Sequence, residues 1–156
     1  MIKIDIPGNT EVILKNIVFD MNGTLSEDGI IRDGVKILLN ELSKIVEIYI
    51  ITSDTFGTAE SMVKDINAKL FIISGENSAD KKKEIVYKLG YPETAIVGNG
   101  YNDHEMLKQG VIGIGIMGVE GLAVKALLHC DVIVPRIEDA LNLFLNSKRI
   151  VATLRN

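Results

Sequence analysis

The feature that most restricts the fold of this chain is an alternation. Short apolar runs alternate with stretches whose apolar residues recur at i, i+3, i+4 and i+7. The runs cover residues 17–20, 46–52, 70–74, 95–98, 111–116 and 132–134. The helical spacing occurs as Val35, Leu38, Leu39, Leu42, as Ala59, Met62, Val63, Ile66, and as Ile137, Ala140, Leu141, Phe144. A shorter version, Ile85, Val86, Leu89, follows Asp80. Strand–helix alternation predicts parallel strands joined by right-handed crossovers, hence a three-layer α/β/α, Rossmann-like sheet. Ahead of it, Ile2, Ile4 and Ile6 alternate, Pro7-Gly8-Asn9 reads as a turn, and residues 12–14 return, which predicts an N-terminal β-hairpin.

The chain has 156 residues, enough for one domain with a real core, and we read 1–156 as a single domain. Hydrophobic content of 47% against 24% charged residues places it among globular proteins. A formal net charge of -4 argues against a nucleic-acid surface. The one cysteine, Cys130, excludes an internal disulfide framework and suits a reducing cytoplasm. Lys3 and Asp5 break the N-terminal apolar stretch, so no signal peptide is read there. The most apolar window, 111–119, is too short and too rich in glycine to span a bilayer, so no membrane is expected. Neither His104 nor His129 has a partner at zinc-ligand spacing.

In open parallel sheets ligands bind beyond the carboxyl ends of the strands, near the point where strand order reverses. Asp20, Thr52 and Asn99 each lie at or just past the end of a predicted strand. Asp20 ends the first run and opens Asp20-Met21-Asn22-Gly23-Thr24-Leu25. A carboxylate there is too hydrophilic to extend a core strand; it can attack phosphorus or hold a metal ion. Thr52-Ser53-Asp54 precedes a helix and reads either as a phosphate cradle or as a helix cap. Lys81, Lys82 and Lys83 open the next helix, either as a solvated face or with one lysine turned inward onto a phosphoryl oxygen. Lys82 lies one turn before Val86 on the apolar stripe and is preferred for that role, with Lys81 as the alternative. Gly98-Asn99-Gly100-Tyr101-Asn102-Asp103 reads on its own as a strand-to-helix turn capped by Asp103. Gly113-Ile114-Gly115-Ile116-Met117-Gly118 lacks the spacing of a dinucleotide fingerprint; its glycines point to close packing or a bulge.

Taken in order, Asp20-Met21-Asn22-Gly23-Thr24-Leu25, Thr52, Lys82 and the Gly98–Asp103 string resemble the four motifs of the haloacid dehalogenase superfamily. Thr52-Ser53-Asp54 with Thr58-Ala59, then Asn102-Asp103 and Cys130-Asp131-Val132-Ile133-Val134, are similar to the phosphorylation domains of P-type ATPases. The resemblance implies that Asp20 attacks phosphorus to form an aspartyl-phosphate. It further implies that Thr52, Ser53 and Lys82 hold the phosphoryl oxygens, and that Mg²⁺ is bound by Asp20, the Asn22 carbonyl, Asn99 and Asp103. Two positions depart from the family. Asn22 stands where its phosphatases usually carry an aspartate acting as general acid and base, and Asn99 where they usually carry a metal-binding aspartate. General acid–base help is worth about 10²–10⁴-fold, so slow turnover is expected. The short gaps from Leu25 to Val35 and from Thr52 to Leu70 leave no room for a mobile cap domain. The expectation is therefore a capless, cytoplasmic, Mg²⁺-dependent hydrolase of phosphate esters or phospho-anhydrides. Its substrate would be a phosphorylated small molecule or a phosphoprotein. The open site would serve a bulky substrate or be covered by a second subunit of a homo-oligomer. The alternative is a catalytically weakened phospho-ligand-binding or regulatory module.

Overall fold

The computed structural model describes residues 1–9, 11–54 and 57–156. Strands β1 (Ile2–Ile4) and β2 (Val12–Leu14) form an antiparallel hairpin in the register Ile2↔Leu14. Six parallel strands follow: β3 (Asn16–Asp20), β4 (Glu47–Thr52), β5 (Lys69–Ile72), β6 (Thr94–Gly98), β7 (Ile112–Ile116) and β8 (Val132–Val134). They lie in the order β5-β4-β3-β6-β7-β8. The chain therefore starts at the centre, runs outward to β5, then crosses to the other side of β3. The reversal falls between β3 and β6, where Phe19 pairs with Val97.

Side chains alternate across each strand and build two cores. Ile17 and Phe19 of β3, Ile48 and Ile50 of β4, and Ala95 and Val97 of β6 face one side. Val18, Tyr49, Ile51 and Ile96 face the other. The first side is covered by α1 (Asp33–Leu42), α2 (Ala59–Val63), α6 (Ile137–Leu145) and α7 (Lys148–Leu154), with the hairpin. The second is covered by α3 (Ser78–Leu89), α4 (His104–Gln109) and α5 (Val124–Leu127). A fully buried aliphatic or aromatic side chain contributes roughly 1.5–3 kcal/mol, so these two layers hold the fold and free the strand ends for other work.

On β7 the two faces are unequal. Ile112, Ile114 and Ile116 enter the first core, while the glycines between them face the second. A Cβ on Gly115 would stand 2.8 Å from Cys130 Sγ and 2.9 Å from Leu122 Cδ2. The glycines let the segment around α5 lie directly on the sheet.

Three local expectations shift. The lysine run does not open its helix: α3 starts at Ser78, with Asp80 in its first turn, where a carboxylate suits the helix dipole. The helix expected through Ile66 ends at Val63, although Ile66 still packs into the core. The helix after Thr52-Ser53-Asp54 begins only at Ala59, whose N–H donates to Asp54 Oδ2 at 2.8 Å; residues 55 and 56 lie outside the described residues. The C-terminal segment docks on its own chain. Ile150 is fully buried, and Asn156 N donates to Pro7 O at 3.2 Å. Among the described residues no helix is long and apolar enough to cross a membrane.

Candidate active site

The carboxyl ends of the central strands carry a buried polar cluster. Asp20 is the last residue of β3, Thr52 the last of β4, and Asn99 directly follows β6. Asp103 ends a 3-10 turn (Tyr101–Asp103) just before α4. Lys82 reaches in from α3, where it and Val86 are the buried residues. Of the two lysines weighed, Lys82 turns inward; Lys81 reaches Ser74 O on the surface.

Lys82 is 1% exposed and bridges two carboxylates, with Nζ 2.5 Å from Asp20 Oδ1 and 2.6 Å from Asp103 Oδ1. Burial works to lower its pKa, but the two carboxylates outweigh burial and leave it raised, so the ammonium stays charged. Asp20 moves the other way. Burial, then the like charge of Asp103, outweigh Lys82 and Thr24 and push the Asp20 carboxyl from 3.8 up to about 7. With Asp20 ionised, two carboxylates against one ammonium leave a net negative charge in a desolvated place. Such a charge is costly unless something positive answers it.

Asp103 has little left to offer a ligand. Its Oδ2 accepts from Asn99 N at 3.0 Å and Gly100 N at 2.8 Å, and its Oδ1 from Lys82. It holds the loop after β6 and the lysine in place. Asn99 is fixed in turn: its Oδ1 accepts from Thr24 Oγ1 at 3.0 Å and its Nδ2 donates to Gly121 O at 3.0 Å. The Asn22 amide oxygen accepts from Ser26 Oγ at 3.4 Å.

The Asp20 loop is tightly wound. Leu25 N and Ser26 N both donate to Met21 O at 2.9 Å, and buried Met21 and Leu25 anchor it in the core. Gly23 has φ +77°, a conformation glycine adopts at little cost. A Cβ there would also meet Glu120 Oε2 at 2.5 Å and Asn99 Nδ2 at 2.6 Å.

A pocket of about 240 Å³ opens over this cluster, lined by Asp20, Asn22, Ser53, Asn99, Gly100, Asn102 and Glu120. Two buried hydroxyl oxygens at the end of β4, Thr52 Oγ1 and Ser53 Oγ, have no hydrogen-bond partner among the described residues, and Ser53 lines the pocket. Buried polar atoms are nearly always partnered, so these two hydroxyls are available to a bound group. No group of three or more His, Cys, Asp or Glu side chains is placed to hold a metal ion among the described residues. A cation here would meet the carboxylates of Asp20 and Glu120 and neutral amide and backbone oxygens, a hard-donor set that suits Mg²⁺, which usually keeps several waters.

Sequence reasoning missed Thr24 and Glu120. Thr24 lies inside the Asp20 string and was readable as a small buried hydroxyl beside a carboxylate. Glu120 follows β7, so the rule that placed Asp20, Thr52 and Asn99 at strand ends extends to it as well.

No family model matches the chain. Over 89 residues it is 37% identical to the uncharacterised protein MJ0073 of Methanocaldococcus jannaschii, covering 57% of this chain and 86% of that protein. Over 108 residues it is 29% identical to a protein named as a probable copper-exporting P-type ATPase of Archaeoglobus fulgidus. That match covers 68% of this chain but only 13% of the ATPase. Among solved structures, the fold matches a Moraxella catarrhalis 3-deoxy-D-manno-octulosonate 8-phosphate phosphatase in complex with magnesium, phosphate and KDO. The TM-score is 0.70 at 17% identity, over 91% of this chain and 94% of that one. It also matches a cobalt-bound phosphatase of the same kind from Haemophilus influenzae, with TM-score 0.70 at 10% identity over 92% and 94%. A haloacid dehalogenase-like family protein of Streptococcus pneumoniae gives TM-score 0.62 at 16% identity over 84% and 98%. The chain thus belongs to one family with the Methanocaldococcus protein, and its fold is that of the haloacid dehalogenase superfamily in its capless form, with a distant similarity to P-type ATPases.

Proposed function

We propose that this chain is a Mg²⁺-dependent phosphohydrolase that works through an aspartyl-phosphate on Asp20. The observation that carries the reading is the pair of hydroxyls without a partner among the described residues, Thr52 Oγ1 and Ser53 Oγ, at the end of the strand that pairs with β3, where Asp20 is held by Lys82. A phosphoryl group in this pocket has oxygens to accept from both and to face the Lys82 ammonium. Phosphoryl transfer needs this kind of positioning and charge neutralisation more than elaborate side-chain chemistry.

In the first step an Asp20 carboxylate oxygen forms a bond to phosphorus, and the bond from phosphorus to the leaving oxygen breaks. In the second step water attacks the same phosphorus, the bond to Asp20 breaks, and inorganic phosphate leaves with the carboxylate restored. Asp20, the Asn22 carbonyl and the Asn99 amide oxygen would hold Mg²⁺, with Asp103 acting on it through the loop and through water. Bound Mg²⁺ would neutralise charge on the phosphoryl oxygens. The excess negative charge of the Asp20–Lys82–Asp103 cluster supports a cation there. Lys82 neutralises part of the developing charge, and Thr52 and Ser53 orient the phosphoryl group.

Asn22 cannot hand a proton to the leaving oxygen, and its amide is turned toward Ser26. Turnover is therefore slow and favours substrates whose leaving group departs as an anion, such as aryl phosphates and phospho-anhydrides. A phosphorylated small molecule or an exposed phosphoprotein segment suits the uncapped pocket. The single cysteine fits a reducing cytoplasm.

The neutral Asn22 and Asn99 favour a second reading, a phospho-ligand-binding module that no longer turns over. Hydrolysis of p-nitrophenyl phosphate with Mg²⁺ by wild type and by Asp20→Asn separates the two. We expect turnover by wild type and none by the variant; equal rates leave the binding module.

A further inference from the structure

The site as read so far is short of negative charge on one flank. Asn22 and Asn99 are neutral, and both Asp103 oxygens are engaged by Lys82 and by backbone N–H groups. Glu120 stands on that flank. It lies in the turn 118–121 that leaves β7, at the same sheet edge as Asp20, and it lines the same pocket.

The turn is fixed against the Asp20 loop. Asn99 Nδ2 donates to Gly121 O at 3.0 Å, and Ala123 N donates to Asn99 O at 2.9 Å. Gly118 N donates to Pro135 O at 2.9 Å, and a Cβ on Gly118 would lie 3.3 Å from Gly23 O. The Glu120 carboxylate and the Asn99 amide converge on Gly23, each within 2.6 Å of where its Cβ would be. Glu120 makes no ion pair among the described residues, whereas the nearby Lys82 is fully committed.

Resting on the reading of Asp20 as a cation-dependent site, we propose that Glu120 is the second carboxylate facing the bound divalent cation. It supplies from the turn after β7 the charge that Asn99 does not carry. Mg²⁺ and its relatives commonly take one or two carboxylates along with waters, so a contact through a coordinated water serves the same purpose. Partners of this kind typically change metal affinity by about 10–100-fold.

The test uses the full chain and Mn²⁺ alone, followed by calorimetry and by the electron paramagnetic resonance of free Mn²⁺. Glu120→Gln should weaken Mn²⁺ binding by about 10–100-fold while leaving the far-ultraviolet circular dichroism unchanged. Adding Asn99→Asp to that variant should recover most of the loss, because the charge returns to the same flank. Mn²⁺ binding by Glu120→Gln indistinguishable from wild type overturns the inference, and so does a loss that Asn99→Asp fails to recover. Asp20→Asn separates the two layers of argument. If Asp20→Asn abolishes Mn²⁺ binding and Glu120→Gln does not, only the role of Glu120 falls. If wild type binds Mn²⁺ no better than Asp20→Asn, the cation-dependent reading of the site falls and Glu120 with it.

Discussion

Among the described residues, the buried polar side-chain atoms at the amino edge of the sheet are paired, and two at the carboxyl edge are not. Asn16 opens β3 and donates to Leu89 O at 2.9 Å and to Thr94 Oγ1 at 3.3 Å, while Thr94 Oγ1 donates to Gly90 O at 2.9 Å. Lys15 N and Glu47 N find Glu93 O and Lys15 O, each at 2.9 Å. A cleft of about 290 Å³ beside Met1, Lys15 and Ile45 lies at that edge, larger than the 240 Å³ pocket over Asp20. Yet the orphaned hydroxyls and the shared lysine are at the other end of the same strands. The size of a cleft therefore says less about function than the hydrogen bonds left unmade on its walls. Folding completes the amino edge, and on the proposed reading a ligand completes the carboxyl edge.

The most severe way to test this contrast is to remove the shared lysine. Lys82→Met strands two buried carboxylates, and a loss of about 3–5 kcal/mol in urea unfolding is expected. Asn16→Ala, which removes the bonds to Leu89 O and Thr94 Oγ1 but strands no charge, should cost roughly 1–3 kcal/mol. A smaller loss at Lys82 than at Asn16 would break the contrast.

Asp20→Asn should work in the opposite direction. The folded-state pKa of Asp20, about 7, lies above its ordinary 3.8. A raised carboxyl pKa means that the folded protein holds the proton longer than the unfolded chain. The ionised form therefore costs stability, nothing below about pH 4 and the full amount above about pH 7. In metal-free buffer the variant should be more stable than wild type by on the order of 4 kcal/mol at alkaline pH. The gain should vanish as the pH falls through the window between these two values. Thermal melts across that window read the difference; a gain that persists at acid pH removes titration of Asp20 as its cause.

The gentlest comparison uses one substitution at both edges. Thr94→Val loses satisfied hydrogen bonds and should cost about 1 kcal/mol. Thr52→Val removes a hydroxyl that has no partner among the described residues and should be neutral, or stabilising by up to about 1 kcal/mol, without ligand. Orthovanadate binding should weaken for Thr52→Val alone. Equal stability losses at the two threonines would mean that Thr52 is satisfied in solution.

Much of this architecture is local information. The period-2 and period-3.6 patterns that separate Ile17–Phe19 from Val35–Leu42 are written in neighbouring residues, so strand number, the hairpin and the parallel sheet could be read without coordinates. The polar residue that stops each apolar run is equally local, which is why Asp20, Thr52 and Asn99 could be placed at strand ends, and why spacing to Val86 favoured Lys82 over Lys81. Helix limits were less legible. α3 starts earlier than the lysines, from Asn77 at φ +61°, and α2 stops at Val63, because capping and tertiary contacts set those ends. Which polar atoms are satisfied could only be decided in three dimensions. Asp103 is occupied by Lys82, Asn99 and Gly100, the Thr52 and Ser53 hydroxyls are left without partners among the described residues, and Glu120 arrives beside Gly23 from a distant turn. Hydrogen-bond satisfaction belongs to groups that meet in space, and no spacing along the chain records which of them will meet.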